Sequence, residues 1–342
     1  MLEKRKNDHL DIVLAKRHAS SSITTGLELV NFVHCALPEI NFADVVLHTE
    51  FLGKQINAPV LVSSMTGGPS KAESINTNIA MVCEDLNLPF GVGSQRIALE
   101  NGSSGGLDKS LRKYAPNVPI MGNLGAAQFN QGYGVDEAHR AVEMIGADGL
   151  FIHLNPLQEA VQSEGDGDWS NLFEKIARLA SDLPVPIAVK EVGFGISDQL
   201  AADLVDAGVE IVDVAGAGGT NWASVEAARS PDPVRKRLGE TFSNWGIPTA
   251  VAVSQARRVC PDATLIASGG IKTGLDIAKA IRIGADLGGI AAGVLKEAVE
   301  SDEKLHSHLT VVIEELKITC FCTGSKDLAR LRQAELADPI GV

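Results

Sequence analysis

Short apolar segments recur along the chain, and each ends in a turn that is rich in glycine or polar side chains. An apolar run of about four to eight residues between turn residues is typical of a strand buried on both faces. The segments that fit are 58–64, 88–92, 118–122, 149–153, 186–190, 210–214, 263–268 and 287–292. Helical spacing of apolar positions is found between them at 72–85, 136–145, 171–181, 198–206 and 274–283.

Eight strand-then-helix units in one chain predict an α/β fold, specifically a TIM (β/α)8 barrel. The 34 glycines suit the short turns of such a barrel. The alternative architecture is an open doubly wound sheet. That alternative is disfavoured because no Gly-x-Gly-x-x-Gly motif opens a helix near the start of the chain.

Two segments fall outside the strand–helix repeat, and a third follows it. Residues 1–57 form an N-terminal arm with a basic cluster, Lys4-Arg5-Lys6, and residues 58–294 form the predicted barrel. The stretch 216–261 is longer than an ordinary strand-to-helix connection, and we interpret it as a helical insertion over the barrel mouth. Residues 295–342 are predicted to be helical and to pack on the barrel. We expect a single domain, since no segment has the composition of a linker.

The net charge of −13 does not favour binding to nucleic acid or to an anionic membrane. No apolar stretch approaches the roughly 18 residues that span a bilayer, and the charged N-terminus is unlike a signal peptide. The five cysteines are an odd number without a Cys-x-x-Cys pair, which indicates reduced thiols. We therefore expect a cytoplasmic protein. An anionic small molecule could still bind where positive charge is gathered locally.

The fourth predicted strand ends in an unusual cluster of polar side chains: His153, Asn155, Gln158 and Glu159. Because parallel α/β folds place their chemistry at the carboxyl ends of strands, this cluster is a candidate active site. A polar loop without function is the alternative. Glu159 alone is not a metal cage, but one carboxylate together with substrate phosphates suits Mg²⁺.

Glycine-rich turns follow the seventh and eighth predicted strands, at 269–270 and 291–293. In TIM barrels these two turns often bind phosphate through backbone N–H groups. Lys190 ends the fifth strand, where a buried lysine requires an anionic or electron-rich partner. A reduced flavin would provide one through its negative charge near N1 and O2. The alternative is a structural ion pair with Glu191 or Asp213.

The chain resembles the type 2 isopentenyl-diphosphate isomerases, which are FMN-dependent TIM-barrel enzymes, over nearly its whole length. The motifs that carry the resemblance are Arg5-Lys6-x-x-His9, Ser64-Met65-Thr66-Gly67-Gly68, Gly93-Ser94-Gln95-Arg96, Asn123-Leu124-Gly125, His153-Leu154-Asn155-x-x-Gln158-Glu159, Lys190-Glu191-x-Gly193 and Gly218-Gly219-Thr220. Each motif is modest alone, and their order along the chain makes the match specific.

The resemblance implies roles for individual residues. Those implied to bind FMN are Met65, Thr66, Gly67, Ser94, Asn123, Lys190, Thr220, Gly270, Ile271, Lys272, Ala291 and Ala292. Those implied to bind the substrate are Arg5, Lys6, Ser94, Gln95, Arg96 and Gln158. Glu159 is expected to hold Mg²⁺. Arg5, Lys6 and Arg96 would give an acidic protein the local positive charge that a diphosphate needs.

The implied reaction converts isopentenyl diphosphate into dimethylallyl diphosphate, a step toward isoprenoids, with no net redox change. Protonating an unactivated alkene demands a strong and well-placed acid, and no ordinary side chain here is an obvious choice. The resemblance assigns that role to reduced FMN, with NADPH as the reductant of the flavin. Gln158 would assist proton movement at the other carbon, while His153 and Asn155 would orient the site. The resemblance also implies a homo-oligomer, a tetramer or an octamer.

Two related enzyme classes and a non-catalytic flavoprotein are the competing hypotheses. A hydroxy-acid oxidase would need a catalytic His at the sixth strand end, and residues 214–221 contain none. An inosine-monophosphate dehydrogenase would need a nucleophilic Cys in a nearby loop, and no Cys lies between Cys83 and Cys260. A protein that merely binds flavin would need neither the Arg5-Lys6 arm nor the Gln158-Glu159 pair.

Overall fold

Eight parallel strands close into a barrel in the computed structural model, which describes residues 2–15, 23–64, 70–102 and 105–337. Going round the barrel, the strands are β3 (Val60–Val62), β4 (Phe90–Gly91), β5 (Ile120–Gly125), β6 (Gly149–His153), β7 (Ile187–Lys190), β8 (Ile211–Asp213), β9 (Thr264–Ala267) and β10 (Leu287–Ile290). β10 pairs with β3 and closes the ring. Every predicted strand is present, and the TIM-barrel prediction is confirmed.

The interior of the barrel is filled by one apolar cluster. Its members from the barrel strands are Leu61, Met121, Phe151, Ala188, Ile211, Ile266 and Leu287. The residues that alternate with them along each strand, such as Val60, Val62 and Val189, belong to the larger cluster between barrel and helices. Since successive side chains of a strand point to opposite faces, this division identifies which strand positions face inward.

A two-stranded hairpin, β1 (Thr49–Phe51) and β2 (Lys54–Ile56), extends the barrel interior cluster. Phe51 and Ile56 are both buried in that cluster. The hairpin turn is Leu52-Gly53, with φ of 52° and 71°, which matches the positive φ that a type I′ turn requires at both central residues. Part of the predicted N-terminal arm is therefore barrel core.

Fifteen α-helices are found among the described residues. They are α1 (Leu2–Leu14), α2 (Ser70–Leu86), α3 (Arg96–Asn101), α4 (Ser110–Tyr114), α5 (Val135–Ile145), α6 (Pro156–Val161), α7 (Leu172–Asp182), α8 (Asp198–Asp206), α9 (Trp222–Arg229), α10 (Pro233–Thr241), α11 (Thr249–Val259), α12 (Gly274–Arg282), α13 (Ala292–Glu300), α14 (Asp302–Cys322) and α15 (Leu328–Leu331), with short 3-10 turns at Leu27–Leu29, Phe42–Asp44 and Ala126–Gln131. The five predicted helices correspond to α2, α5, α7, α8 and α12. None of the helices in the described ranges combines the length and apolar character that a membrane crossing needs.

The segment after β8 is helical as predicted, but the insertion is shorter than 216–261. α9 and α10 pack on each other, and α9 also contacts α6 and α1. α11, in contrast, packs against α8 and β9, so it belongs to the helical layer of the barrel. The long helix α14, which lies in the predicted C-terminal segment, packs against α12, α13 and α2.

Candidate active site

A layer of polar side chains lies directly above the apolar barrel interior, at the carboxyl ends of the strands. Each member follows an interior apolar residue by two positions and therefore faces inward as well. The members are Ser63, Asn123, His153, Lys190, Asp213 and Ser268. Strand register places His153 beside Lys190 and Lys190 beside Asp213. Three of the residues singled out from sequence, Asn123, His153 and Lys190, are thus brought together in one layer.

His153 and Asn123 hold each other in this layer. His153 Nδ1 lies 2.7 Å from Asn123 Oδ1, and Asn123 Nδ2 donates to the Val92 carbonyl over 3.1 Å. Since the amide oxygen can only accept, His153 carries a proton on Nδ1. The arrangement fixes the ring of His153 through a side chain of the neighbouring strand.

The Gln95 side chain faces away from the barrel mouth. It is fully buried, its Nε2 donates to the Ala141 carbonyl over 2.8 Å, and its Oε1 accepts from the Asn123 N–H over 2.9 Å. Both ends of the amide are therefore taken up by the protein between β5 and α5. The Gln95 side chain therefore supports the end of β5, and the assignment of Gln95 to substrate binding stays a prediction.

Arg96 begins α3 on the rim of the barrel, and its guanidinium remains partly exposed. Its Nε donates to Glu100 over 2.9 Å and its Nη1 to Asp166 over 3.4 Å. Two carboxylates hold the guanidinium while a quarter of the side chain, 24%, stays accessible. Such an arginine can receive an anion without losing its orientation. Ser94, two residues earlier, is half-buried in the loop that leads to α3.

Glu159 is held by the protein on several sides. Its Oε1 accepts from Asn155 Nδ2 over 2.8 Å, and its Oε2 accepts from the Asp166 N–H over 2.8 Å and from the Gln162 amide. Asn155 also donates to Gln158 Oε1 over 3.2 Å. Among the described residues there is no group of three or more His, Cys, Asp or Glu side chains that could hold a metal. A cation at Glu159 would need most of its ligands from elsewhere.

Gln158 is hydrogen-bonded to a buried carboxylate that the sequence pattern does not reveal, Glu226 of α9. Gln158 Nε2 donates to Glu226 Oε1 over 3.1 Å, and His9 Nε2 lies 2.8 Å from the same oxygen. Arg229 Nε donates to Glu226 Oε2 over 3.0 Å. Burial alone would raise the pKa of Glu226, but His9, Gln158 and Arg229 together hold that pKa below its usual value. Glu226 is therefore a carboxylate at neutral pH.

Helix α1 carries the predicted Arg5-Lys6 motif and lies against its own barrel. It contacts α9 and α13, which begin at the carboxyl ends of β8 and β10. His9 also packs edge-on against Trp222 with ring centroids 5.2 Å apart. The side chains of Arg5 and Lys6 are outside the described set, as are all of Met65, Thr66 and Gly67. Helix α1, on which the basic motif lies, thus packs against helices of the same chain.

Lys190 is buried, and its Nζ donates to the Glu191 backbone carbonyl over 2.5 Å. The Glu191 carboxylate does not pair with it. Glu191 Oε2 instead accepts the N–H groups of Val192, Gly193 and Phe194 over 2.5–2.8 Å. Burial raises the pKa of Glu191 to about 7. In the described part of the chain no carboxylate oxygen forms an ion pair with Lys190, so the structural ion pair considered from sequence is not formed.

The turns after β9 and β10 have the geometry of a backbone anion site. Gly269 and Gly270 adopt φ of 95° and 77°, which residues with a Cβ rarely adopt. Helix α13 begins at Ala292, and its N-cap residue Ala291 has no side-chain cap, so an anion could meet its first N–H groups.

The resemblance also implies FMN contacts for Ile271 and Lys272 after β9 and for Thr220 after β8, and these residues differ in their surroundings. Ile271 is buried, and the Lys272 N–H is engaged by Asp276 over 3.1 Å. Thr220 is half-buried, and its carbonyl lies so close to Gly193 that a Cβ there would be 2.5 Å away. The turns after β7 and β8 therefore meet without room for an intervening side chain.

A family model described as FMN-dependent dehydrogenase matches residues 153–338 of the chain. Among solved structures, a flavocytochrome b2 variant with sulfite bound aligns with a TM-score of 0.70 and 15% identity, covering 96% of this chain and 82% of that chain. A mandelate oxidase variant aligns with a TM-score of 0.68 and 15% identity, covering 99% of both chains. At this identity the likeness shows the fold.

Much more similar sequences exist among characterised families. The chain is 54% identical over 335 residues to the isopentenyl-diphosphate delta-isomerase of Stutzerimonas stutzeri, covering 98% of this chain and 97% of the relative. It is 52% identical over 335 residues to the enzyme of that name from Pseudescherichia vulneris, covering 98% and 96%. The match covers nearly the whole length of both chains. The chain therefore belongs to the type 2, FMN-dependent family of isopentenyl-diphosphate delta-isomerases.

Proposed function

We propose that this protein interconverts isopentenyl diphosphate and dimethylallyl diphosphate, with FMN bound above the polar layer of the barrel. The observation that carries the proposal is that two groups of polar side chains follow the carboxyl ends of the barrel strands. One group is the polar layer around Lys190, and the other is Gln158 with its hydrogen-bond partner Glu226. The near full-length identity to enzymes of this name supports the same conclusion.

The barrel mouth fits FMN on three observations. Lys190 presents a buried cation at the end of β7, where the electron-rich part of a flavin would need it. Ser64 Oγ and Asp213 Oδ2 are buried polar atoms without a hydrogen-bond partner among the described residues. The uncapped start of α13 and the glycine turn after β9 would hold the phosphate. The residues we assign to FMN in addition are Met65, Thr66, Gly67, Ser94, Asn123, Thr220, Gly270, Ile271, Lys272, Ala291 and Ala292.

When bound in its reduced form, FMN would supply the acid and base that the alkene requires and that the side chains lack. The residues of the chain then have supporting tasks. Asn123 fixes the His153 ring, and His153 orients the site from one side. Gln158 is fixed at both ends of its amide, by Asn155 and by Glu226. We assign Gln158 to proton movement at the carbon beside the diphosphate arm, with the Glu226 carboxylate holding its amide in place.

The diphosphate would be held by positive charge gathered on an acidic protein. Arg5 and Lys6 lie on helix α1, and Arg96 keeps part of its guanidinium accessible on the barrel rim. We assign Ser94 to the same group. Glu159 would contribute one oxygen to a Mg²⁺ ion whose remaining ligands are phosphate oxygens and water, which is how Mg²⁺ commonly binds. NADPH is the proposed reductant of the flavin.

A hydroxy-acid oxidase is the nearest alternative, because proteins with that chemistry share the fold. It is disfavoured by the end of β8, where the inward-facing residue is Asp213 and no His occurs between residues 214 and 221. We further propose that the protein acts in the cytoplasm as a homo-oligomer, a tetramer or an octamer.

The experiment that tests the proposal is product analysis. Purified protein is incubated without oxygen with FMN, NADPH, Mg²⁺ and isopentenyl diphosphate, and the allylic and homoallylic diphosphates are separated. Formation of dimethylallyl diphosphate supports the proposal. Oxidation of lactate or mandelate by the same preparation, without isomerisation, would support the oxidase instead.

A further inference from the structure

The carboxylate of Asp213 is fully buried in the polar layer and has no assigned function. Asp213 is the last residue of β8, and strand register places it directly beside Lys190 of β7. Its side chain is 0% exposed. It faces inward because Ile211, two positions earlier, belongs to the barrel interior cluster. Lys190 and Asp213 are thus opposite charges on adjacent inward positions at the carboxyl end of the barrel.

Only one oxygen of this carboxylate is satisfied. Asp213 Oδ1 accepts from Ser268 Oγ over 2.6 Å and from the Ala215 N–H over 3.3 Å. Asp213 Oδ2 has no partner among the described residues. A buried carboxylate oxygen left unpaired is costly and rare, so Asp213 Oδ2 is available to a positive charge brought close to it.

Lys190 is the charge that Asp213 can balance. The Nζ of Lys190 donates to the Glu191 carbonyl, and the Glu191 carboxylate is engaged by three backbone N–H groups of its own loop. Burial raises the pKa of Asp213 above its ordinary value, although Lys190, and to a smaller extent Ser268, act to lower it and so favour the carboxylate. On the other side of Lys190 lies His153, whose Nδ1 is committed to Asn123. Asp213 is therefore the carboxylate in the layer that is free to respond to the position of the ammonium.

Resting on the function proposed above, we propose that Asp213 is a positioning residue for Lys190. By setting the position and the net charge of the Lys190 ammonium, Asp213 determines how much more tightly the site binds reduced FMN than oxidised FMN. The ionised carboxylate attracts the ammonium toward β8 and offsets part of its charge. Removing that carboxylate charge would leave Lys190 wholly available to the negative charge of the reduced flavin. The reduced form should then be bound more tightly relative to the oxidised form.

The test is the midpoint potential of FMN bound to the full-length protein, measured by anaerobic spectroelectrochemistry. Asp213→Asn is expected to raise the ratio of reduced to oxidised binding about tenfold, which is a rise of about 30 mV for a two-electron couple. Lys190→Met is expected to lower the potential. The double variant should match Lys190→Met alone, because Asp213 acts through the lysine. Should Asp213→Asn fail to fold, Asp213→Ser removes the same charge, and the same rise is expected.

The matched control is Asp148→Asn. Asp148 is a carboxylate at the other end of the barrel, where it binds Lys54 over 2.7 Å and also Arg112. Its loss should lower stability and leave the flavin potential unchanged. An unchanged potential in Asp213→Asn would overturn the proposal and indicate a neutral, protonated Asp213. Additive shifts in the double variant would also overturn it, since Asp213 would then act on the flavin directly. If Lys190→Met leaves the potential unchanged, the placement of FMN over Lys190 is wrong, which is a separate failure.

Discussion

His9 Nε2 lies 2.8 Å from Glu226 Oε1, and this contact joins the N-terminal helix to the insertion after β8. Gln158 donates to the same oxygen, so helix α1, the insertion after β8 and the polar cluster after β6 meet at one buried carboxylate. Because the His9 contact is within one chain, it ties helix α1, which carries Arg5 and Lys6, to α9 of its own barrel. The placement of the arm that we propose to bind diphosphate should therefore depend on Glu226.

We expect Glu226→Gln to loosen the arm and raise the Michaelis constant for isopentenyl diphosphate, with FMN affinity unchanged. An amide cannot balance the charge of Arg229, and removing one partner of a buried ion pair costs on the order of 3 kcal/mol of stability. Steady-state kinetics and thermal unfolding measure both effects. Glu164→Gln is the control, because Glu164 binds the same Arg229 over 3.0 Å but is half exposed and should matter little. Equal effects from the two variants would remove Glu226 from this role.

Gln158 and Glu159 are adjacent, but substitutions of the two residues should have different effects on the kinetics. Gln158→Ala is expected to lower turnover at saturating substrate, and added Mg²⁺ should not restore it, because the side chain is assigned to the reacting carbon. Glu159→Gln is expected to raise the Mg²⁺ concentration required, since the metal can still bind through the phosphates. Kinetics over a range of Mg²⁺ concentrations separate the two outcomes. Metal rescue of Gln158→Ala, but not of Glu159→Gln, would show that the two roles are exchanged.

Arg96→Ala is expected to raise the Michaelis constant for the diphosphate substrate while FMN affinity hardly changes. The loss should be on the order of 1.5–3 kcal/mol if one charge-assisted hydrogen bond to phosphate disappears. Arg178→Ala is the control, because Arg178 is an exposed arginine on α7 that is also paired with a carboxylate, Asp182. Unaltered substrate kinetics in Arg96→Ala would mean that Glu100 and Asp166 bind this guanidinium for structural reasons alone.

Glu191 should make the protein less stable as pH rises from about 4.5 to about 7. Its pKa is raised by burial from 4.5 to about 7, so the folded state binds more protons than the unfolded state in this range. Glu191 therefore stabilises the folded state below about pH 4.5, and this contribution is lost as the pH rises past about 7. In urea unfolding, Glu191→Gln should remove this slope of the unfolding free energy against pH. Glu210→Gln, at an exposed carboxylate, should keep it. A slope that persists in Glu191→Gln would contradict the burial argument.

The fold could be predicted well because its signal is local. Each barrel strand is a short apolar run with glycine or polar residues behind it, and all eight runs became strands. The hairpin at Thr49–Phe51 and Lys54–Ile56 was missed, since three-residue strands carry too little periodicity to be recognised. α11 was assigned to the insertion because its apolar positions do not reveal whether they face the barrel or another helix.

Residues of the site could be predicted from the sequence only where they lie at the ends of strands. Asn123, His153 and Lys190 were singled out for that reason, and they share one layer. Glu226 gives no such sign: it lies inside a helix, 217 residues from His9 and 68 from Gln158. The direction of the Gln95 side chain, toward α5, was also hidden, because a loop residue has no strand alternation to reveal which way its amide points.

The most direct test of the account is whether reduced FMN is required and yet not consumed. Purified protein is supplied with FMN, Mg²⁺ and isopentenyl diphosphate under strict anaerobiosis, with and without NADPH, while product and NADPH are both followed. The account predicts many turnovers to dimethylallyl diphosphate once the flavin is reduced, with no further NADPH oxidation. Steady isomerisation with oxidised flavin, or NADPH oxidation that matches product one for one, would contradict it.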